Sequence, residues 1–476
     1  MTLIQPVELV PASELGALHF IAAGGAGMSG IAAAYADLGM RVSGSDQADS
    51  ATLDWLANCG VRTFVGHDQA HLGDADTVVV SSAVRADNVE LSQAVSKGLR
   101  VWHRSAALGA LMLGKTGIAV SGTHGKTTTS AMIAVMLAEL GADPSFVLGA
   151  PLAGGTSSQL GGGEYFVVEA DESDGSFWQY PAQIAVITNI EADHLDNWGN
   201  AQAYADGFAK FASAALVSDV VVSGDDPGAA ALVGGLVAAG KRVWVFEVGP
   251  AGLAVTRADG GQGPAPVGVI ARPNLKVPGE HNLRNAAAAL AVGLLLGYDP
   301  QRIIRGLEGF RGTARRFETV ARVAGVWIVD DYAHHPTEVR ATLEAARTLA
   351  DGRIVACFQP HLFTRTRDFA ADFGRALALA DLVLVMNVYP AREDPIPGVS
   401  GKLVADAAGE VGALVSYLDS PPGAGIGQAA QALAEVAREP DLVLTLGAGN
   451  VTAVGPALAQ LLGAGSTPPT RPGSHA

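Results

Sequence analysis

Short apolar runs alternate with longer stretches of helical spacing along almost the whole chain. A first block holds "ALHFIA" (17–22), "RVSGSD" (41–46), "DTVVVSS" (76–82) and "LRVWH" (99–103). A second holds "GIAVSG" (117–122), "YFVVEAD" (165–171), "QIAVITN" (183–189), "SDVVVSG" (218–224) and "KRVWVFEV" (241–248). A third holds "GVWIVDDYA" (325–333), "RIVACFQP" (353–360), "DLVLVMNV" (381–388) and "DLVLTLGAG" (441–449). Runs of this length separated by helix-length segments predict parallel sheets with crossover helices. The fold class is therefore α/β in three domains, 1–112, 113–313 and 314–465, with 466–476 carrying the composition of a disordered tail. The Gly/Pro-rich stretch 249–269 reads as a surface loop or short hairpin, and "AAAALAVGLLLG" (286–297) as a buried helix.

Composition narrows the class. Of 476 residues, 49% are hydrophobic and 16% charged, enough apolar material for several cores. No apolar run reaches the roughly 18 residues of a membrane helix. The first basic residue is Arg41, so no signal peptide is expected, and two cysteines, Cys59 and Cys357, suit a reducing cytoplasm. A net charge of −16 argues against nucleic acid as a partner. An anionic ligand then has to be held by local cations and backbone amides. No membrane insertion is expected, and a monomer or weak homo-oligomer is the expected state.

One such site is legible in "GIAVSGTHGKTTTSAMIAVML" (117–137). The pattern G-x-x-x-x-G-K-[ST] places phosphate on a strand-to-helix turn. Here Gly125, Lys126 and Thr127 complete it, but Val120 stands where its first glycine belongs, and Gly122 comes two residues later. The loop is shortened, yet its amides and the helix dipole still favour an anion. Lys126 reaches terminal phosphates and Thr127 ligates magnesium. Acids follow at two predicted strand ends: Glu169, Asp171, Glu172 and Asp174 in "EADESD", then Glu191 and Asp193 beside His194 in "IEADHLD". Oxygen ligands next to a phosphate loop suit Mg²⁺, with Mn²⁺ an alternative.

The front of the chain offers a second glycine turn. Gly25, Gly27 and Gly30 satisfy G-x-G-x-x-G after a strand, with Asp46 twenty-one residues beyond Gly25. That is also a dinucleotide fingerprint, so an NAD-dependent dehydrogenase is one reading of this segment. It leaves the phosphate loop, the acid clusters and the third block without a role.

Taken in order, "GGAGMSG", "GTHGKTTT", "EADESD", "TNIEADHLD", "PGEHNLRNAAAA", "GTARRFE", "VDDYAHHPTEV", "FQPHLFTRTRDF" and "LTLGAGN" resemble the Mur ligases, over roughly residues 18–455. The resemblance implies a Rossmann-like UDP-sugar domain, a central ATPase-type domain and a Rossmann-like amino-acid domain. It implies ATP-dependent joining of L-alanine to the lactyl carboxylate of UDP-N-acetylmuramate through an acyl phosphate, in cytoplasmic peptidoglycan precursor synthesis. A ligase recycling a murein tripeptide is the alternative within the family, and a non-catalytic ATP switch the alternative outside it.

The same resemblance assigns residues. Gly122, Thr123, His124, Gly125, Lys126, Thr127 and Thr128 form the ATP loop; Thr127, Glu169 and His194 hold the metal. Asn282 and Asn285 meet adenine, though Asn282 equally suits a helix cap, and Asp331 meets the ribose. Of Arg315 and Arg316, one reaches the γ-phosphate; both also fit solvated surface charges. The UDP sugar falls to Gly24, Gly25, Gly27, Met28, Ser29, Asp46, Ser82, Asn88 and Arg104, although Ala22 and Ala23 depart from the family's usual "HFIGIGG". The amino acid falls to Tyr332, His334, His361 and Arg365, with Arg365 as carboxylate clamp. Lys126, Glu169, His194, Arg316 and His334 are the expected catalytic set.

Overall fold

The computed structural model describes residues 3–259, 262–391 and 393–464. The expected tail, 466–476, lies outside them. The chain forms two compact units, one of residues 1–276 with 281–313, the other of 277–280 with the chain from 314 onward.

The first unit contains two sheets. One has five parallel strands in the order Arg62–Val65, Val42–Asp46, Leu18–Ile21, Thr77–Val80 and Arg100–His103. The strand order reverses at Leu18–Ile21, which opens a crevice at the strand ends. The other sheet has nine strands. Thr116–Ser121 lies at its centre, between Tyr165–Glu169 and Ala182–Ile187, and pairs in parallel with both. Both flanking strands are apolar and buried, as a central parallel strand requires.

Of the two forms expected for the Gly/Pro-rich stretch, the structure shows the hairpin. Gly252–Asp259 and Gln262–Ile270 are antiparallel strands that extend this sheet beyond Arg242–Gly249. The alanine-rich run begins inside helix Glu280–Leu295 and ends two residues past it, and Ala286 to Val292 are fully buried. Methyl-sized side chains let that helix lie close to its neighbours.

One apolar core serves both sheets of this unit, running from Phe20 and Ile31 to Phe166, Phe177 and Val220. Helix Arg104–Met112 is buried from Ser105 to Met112, as a helix packed on every side must be. Tyr35 donates from its hydroxyl to Ala107 O at 2.7 Å and so ties the first sheet's helix to this one.

The second unit has one six-stranded sheet in the order Glu318–Val323, Val326–Asp331, Leu442–Leu446, Ile354–Phe358, Leu382–Val385 and Val415–Tyr417. Only the first pair is antiparallel. Separate apolar clusters cover its two faces, one centred on Phe358 and Phe373, the other on Val443 and Leu458. Among the described residues no helix is long and apolar enough to cross a membrane.

Candidate active site

The shortened phosphate loop joins strand Thr116–Ser121 to helix Lys126–Glu139. Two glycines make the turn possible. Gly122 has φ 141° and Gly125 φ 82°, both where a side chain is strained. A Cβ at Gly125 would lie 2.5 Å from Asn285 Oδ1. Gly125 caps the helix with no side-chain acceptor, so the first-turn amides are not satisfied by a cap. A glycine cradle opening onto uncapped amides fits a phosphate group.

Lys126 is folded back over this cradle. Its Nζ donates to Gly122 O at 2.6 Å and to Thr123 O at 3.0 Å, and lies 2.9 Å from Glu172 Oε2. Burial opposes its charge, but the carboxylates of Glu172, Asp171 and Glu169 outweigh that and hold its pKa above the ordinary value. For Glu172, burial dominates and pushes the carboxyl up to about 7 against the pull of Lys126. Lys126 therefore sits among three of the four acids of "EADESD". Glu172 was part of that cluster in sequence, but nothing local marked it as the partner of Lys126.

The remaining loop residues are held by the segment that follows strand Ala182–Ile187. His124 N donates to Asn189 Oδ1 at 2.8 Å, and Thr123 Oγ1 donates to Glu191 O at 2.8 Å. Thr123 Oγ1 also lies 2.9 Å from Tyr204 Oη, which lies 3.4 Å from Glu172 Oε1. Tyr204 carried no signal in sequence beyond an apolar helix position, yet it links loop and acid. Thr127 and Thr128 are buried in the first helical turn. Asn285 accepts from Thr129 Oγ1 at 3.1 Å and donates to Asn282 Oδ1 at 3.1 Å, so this amide pair stands behind the loop at Gly125.

Glu169 ends its strand with Oε2 accepting from Gly149 N at 2.9 Å. His194 begins the short helix Leu195–Trp198 in the left-handed region, φ 52°, with Nε2 3.5 Å from Asp193 Oδ2. The Thr127 hydroxyl and the Glu169 carboxylate are donors that fit Mg²⁺. A nitrogen ligand such as His194 is the less usual member.

At the first sheet, Gly25 caps helix Ala26–Asp37 without a side-chain acceptor, and Met28 and Ser29 are buried behind it. Asp46 Oδ2 accepts from Gly24 N at 2.9 Å. A Cβ on Gly27 would lie 3.0 Å from Arg104 Nη1, so the glycine turn and Arg104 are adjacent. Arg104 in turn pairs with Asp171 at 2.7 Å, which holds that carboxyl well below the usual range despite burial. Ser82 donates to Asp174 and lies 3.1 Å from His103 Nε2. Burial, with Arg104 beside it, pulls the His103 imidazole down to about 4. Arg104 and Ser82 thus meet acids of the motif that also surrounds Lys126. Asn88 instead caps helix Val89–Ser96, accepting from Glu90 N at 2.9 Å. Lys210 lies over the Trp178 ring at 3.4 Å.

The second unit separates its two arginines. Arg315 donates from Nε to Asp330 Oδ2 at 3.0 Å and from Nη2 to Gly447 O at 2.6 Å. Thr445 and Thr452 donate to the same Asp330 carboxylate, so Arg315 clasps the strand Val326–Asp331 to the loop after Leu442–Leu446. Arg316 lies over the Tyr332 ring at 5.3 Å and 3.9 Å from Glu338 Oε1. Asp331 accepts from Phe317 N and Ala333 N, each at 2.8 Å, and burial pushes it up to about 6 against the pull of Arg316.

Tyr332, His334 and His361 form a chain of rings, with centroids 5.2 Å and 6.0 Å apart. Arg365 is buried in the first turn of helix Phe363–Leu377. Glu338, which sequence reasoning passed over, contacts both His334 and Arg316. Its spacing three residues after the helix cap was the available signal.

Comparison with known proteins yields three family matches in chain order. Residues 17–116 match the Mur ligase family, catalytic domain, 120–293 the Mur ligase middle domain, and 315–449 the Mur ligase, glutamate ligase domain. The chain is 57% identical to a UDP-N-acetylmuramate–L-alanine ligase of Cutibacterium acnes, over 97% of this chain and 99% of that protein. A crystal structure of UDP-N-acetylmuramate-alanine ligase from Thermotoga maritima is similar at TM-score 0.74 and 29% identity, over 93% of this chain and 98% of that one. A murein peptide ligase from Psychrobacter arcticus is similar at TM-score 0.68 and 25% identity, over 94% and 99%.

Proposed function

The chain belongs to the Mur ligase family, and we propose that it joins L-alanine to the lactyl carboxylate of UDP-N-acetylmuramate, converting ATP to ADP and phosphate. The observation that carries this reading is the identity to the Cutibacterium ligase along essentially the full length of both chains. The reaction serves peptidoglycan precursor synthesis in the cytoplasm, where ATP and UDP sugars are found.

A carboxylate is a poor electrophile. Transfer of the γ-phosphoryl group of ATP to the lactyl oxygen makes an acyl phosphate, and attack by the alanine amine forms the amide and expels phosphate. Catalysis is then mostly alignment and charge neutralisation. The amides of Gly122 to Thr128 cradle the phosphates, and Lys126 leaves its loop carbonyls to meet the terminal ones. Thr127, Glu169 and His194 hold Mg²⁺, which supplies positive charge to the phosphate oxygens when bound. Asn282 and Asn285 meet the adenine edge, and Asp331 the ribose. Arg316, rather than the clasped Arg315, supplies the cation for the phosphoryl group in transfer. Gly24, Gly25, Gly27, Met28, Ser29, Asp46, Ser82 and Arg104 receive the UDP sugar. Arg365 and His361 hold the alanine carboxylate, with Tyr332 and His334 at its amine.

The second reading is a ligase that recycles murein tripeptide, which the likeness to the Psychrobacter enzyme favours. ADP release with ATP, Mg²⁺ and UDP-N-acetylmuramate, comparing L-alanine, glycine, L-serine and the tripeptide, separates the two. Turnover that needs both the UDP sugar and L-alanine is expected. Turnover with the tripeptide alone moves the protein to the recycling branch, and none with any acceptor removes the ligase reading.

A further inference from the structure

Glu338 lies in the first turn of helix Pro336–Leu349, three residues after the cap His335. The two residues form a capping box, in which the Glu338 carboxylate reaches back to the cap's backbone. Its Oε2 accepts from His334 N at 3.0 Å and from His335 N at 3.3 Å. These two amides fix the carboxylate, and the fixed oxygen then lies 3.2 Å from His334 Nδ1. The same Nδ1 lies 3.1 Å from Tyr332 O. Both neighbours of Nδ1 are acceptors, so Nδ1 carries the proton and the lone pair is on Nε2. The other carboxylate oxygen, Oε1, lies 3.9 Å from Arg316 Nη1.

We infer that Glu338 is a positioning residue for the ligation, holding a negative charge against His334 Nδ1 with one oxygen and setting the place of Arg316 with the other. The inference rests on the reading that His334 meets the alanine amine. An ammonium must lose a proton before its nitrogen can attack. His334 Nε2 takes that proton, the ring becomes cationic with both nitrogens protonated, and the Glu338 carboxylate balances the charge until the proton passes to water. A carboxylate that orients a histidine and stabilises its cation without taking the proton plays the same part in hydrolase triads.

Glu338→Gln tests this, because glutamine closes a capping box as glutamate does while removing the charge. Three readouts on the full chain are needed: imidazole ¹⁵N shifts of His334, the thermal midpoint, and initial rates against L-alanine. The wild type and the variant are both expected to show the Nδ1–H tautomer at an unchanged midpoint, since the glutamine oxygen and Tyr332 O still accept there. Its kcat is expected to fall about 10- to 100-fold, with KM for L-alanine altered less than about threefold. An unchanged kcat in a folded variant overturns the inference. So does an Nε2–H tautomer in the wild type, which holds even where the variant fails to fold. The tautomer is read without substrates. Failure of wild-type turnover with L-alanine therefore removes the underlying reading and leaves Glu338 to be decided by the spectrum.

Discussion

Lys126 Nζ sits 2.9 Å from Glu172 Oε2 while donating to two carbonyls of its own loop. The cation is therefore stored over the cradle that its charge serves, and Tyr204 braces the arrangement through Thr123 and Glu172.

Burial lifts the Glu172 carboxyl from 4.5 to about 7. The folded chain then keeps this proton over a range where the unfolded chain has released it. Its contribution to stability is complete below about pH 4.5, declines as pH rises toward about 7 and is level above, by at most about 3 kcal/mol. Urea midpoints measured between about pH 5 and pH 8 should fall more steeply for the wild type than for Glu172→Gln. Parallel curves would mean that this carboxyl does not titrate in the window.

Gly125→Ala forces a left-handed alanine, costing about 1–2 kcal/mol. Its new methyl also meets Asn285 Oδ1, which Thr129 and Asn282 hold in place. Calorimetric affinity for Mg-ATP should drop at least about 10-fold. Wild-type affinity in this variant would show that the cradle does not bind the phosphates.

The adjacent arginines should fail differently. Arg315→Ala strands the buried Asp330 without its cation and should cost about 3 kcal/mol, the low end for such a pair because Arg315 is partly exposed. Arg316→Ala should cost less than about 1 kcal/mol yet remove most ADP release. Thermal melts run beside rate assays distinguish them, and a stable but inactive Arg315→Ala protein would reverse the assignment.

Ala22 has φ 64°, a region that favours glycine, at the position where the family usually has one. Ala22→Gly should relieve about 1–2 kcal/mol of strain against about 0.5–1 kcal/mol of added chain entropy, a net gain of up to about 1.5 kcal/mol. Denaturant titration reads this directly, and a destabilised variant would show that alanine is accommodated there without strain.

Arg365→Ala should raise KM for L-alanine about 10- to 100-fold through the lost charge-assisted contact, with KM for ATP little changed. Arg365→Lys should not restore it, since a point charge cannot match a planar fork. An equal rise in both KM values would assign Arg365 to packing in its helix.

Much of the fold was legible because buried parallel strands are short, continuous apolar runs. "TGIAVS" and "VWIVDD" are of this kind and became central strands. Arg62–Val65 and Val415–Tyr417 escaped notice because they are half-exposed edge strands without such a run. The pair Gly252–Asp259 and Gln262–Ile270 was legible only as a loop or short hairpin, because its glycines and prolines suggest turns; pairing with Arg242–Gly249 makes it part of the sheet.

The sequence by itself determined the chemistry of the site: a glycine turn closed by Lys126 and Thr127, acids at the following strand ends, and a third block rich in arginine and histidine. These are local properties, since a strand-to-helix turn and its residue types are contiguous in the chain. Only the tertiary structure decided which of several like residues meets which partner. Arg315 and Arg316 are neighbours of one type and both lie over the Tyr332 ring, yet Asp330 and Gly447 engage the first and Glu338 neighbours the second. Glu172 is distinguished from Glu169 by burial against Lys126, and the Asn88 side-chain oxygen caps a helix. A side chain's role depends on the partners that distant segments bring to it, and those partners are not written in its own neighbourhood.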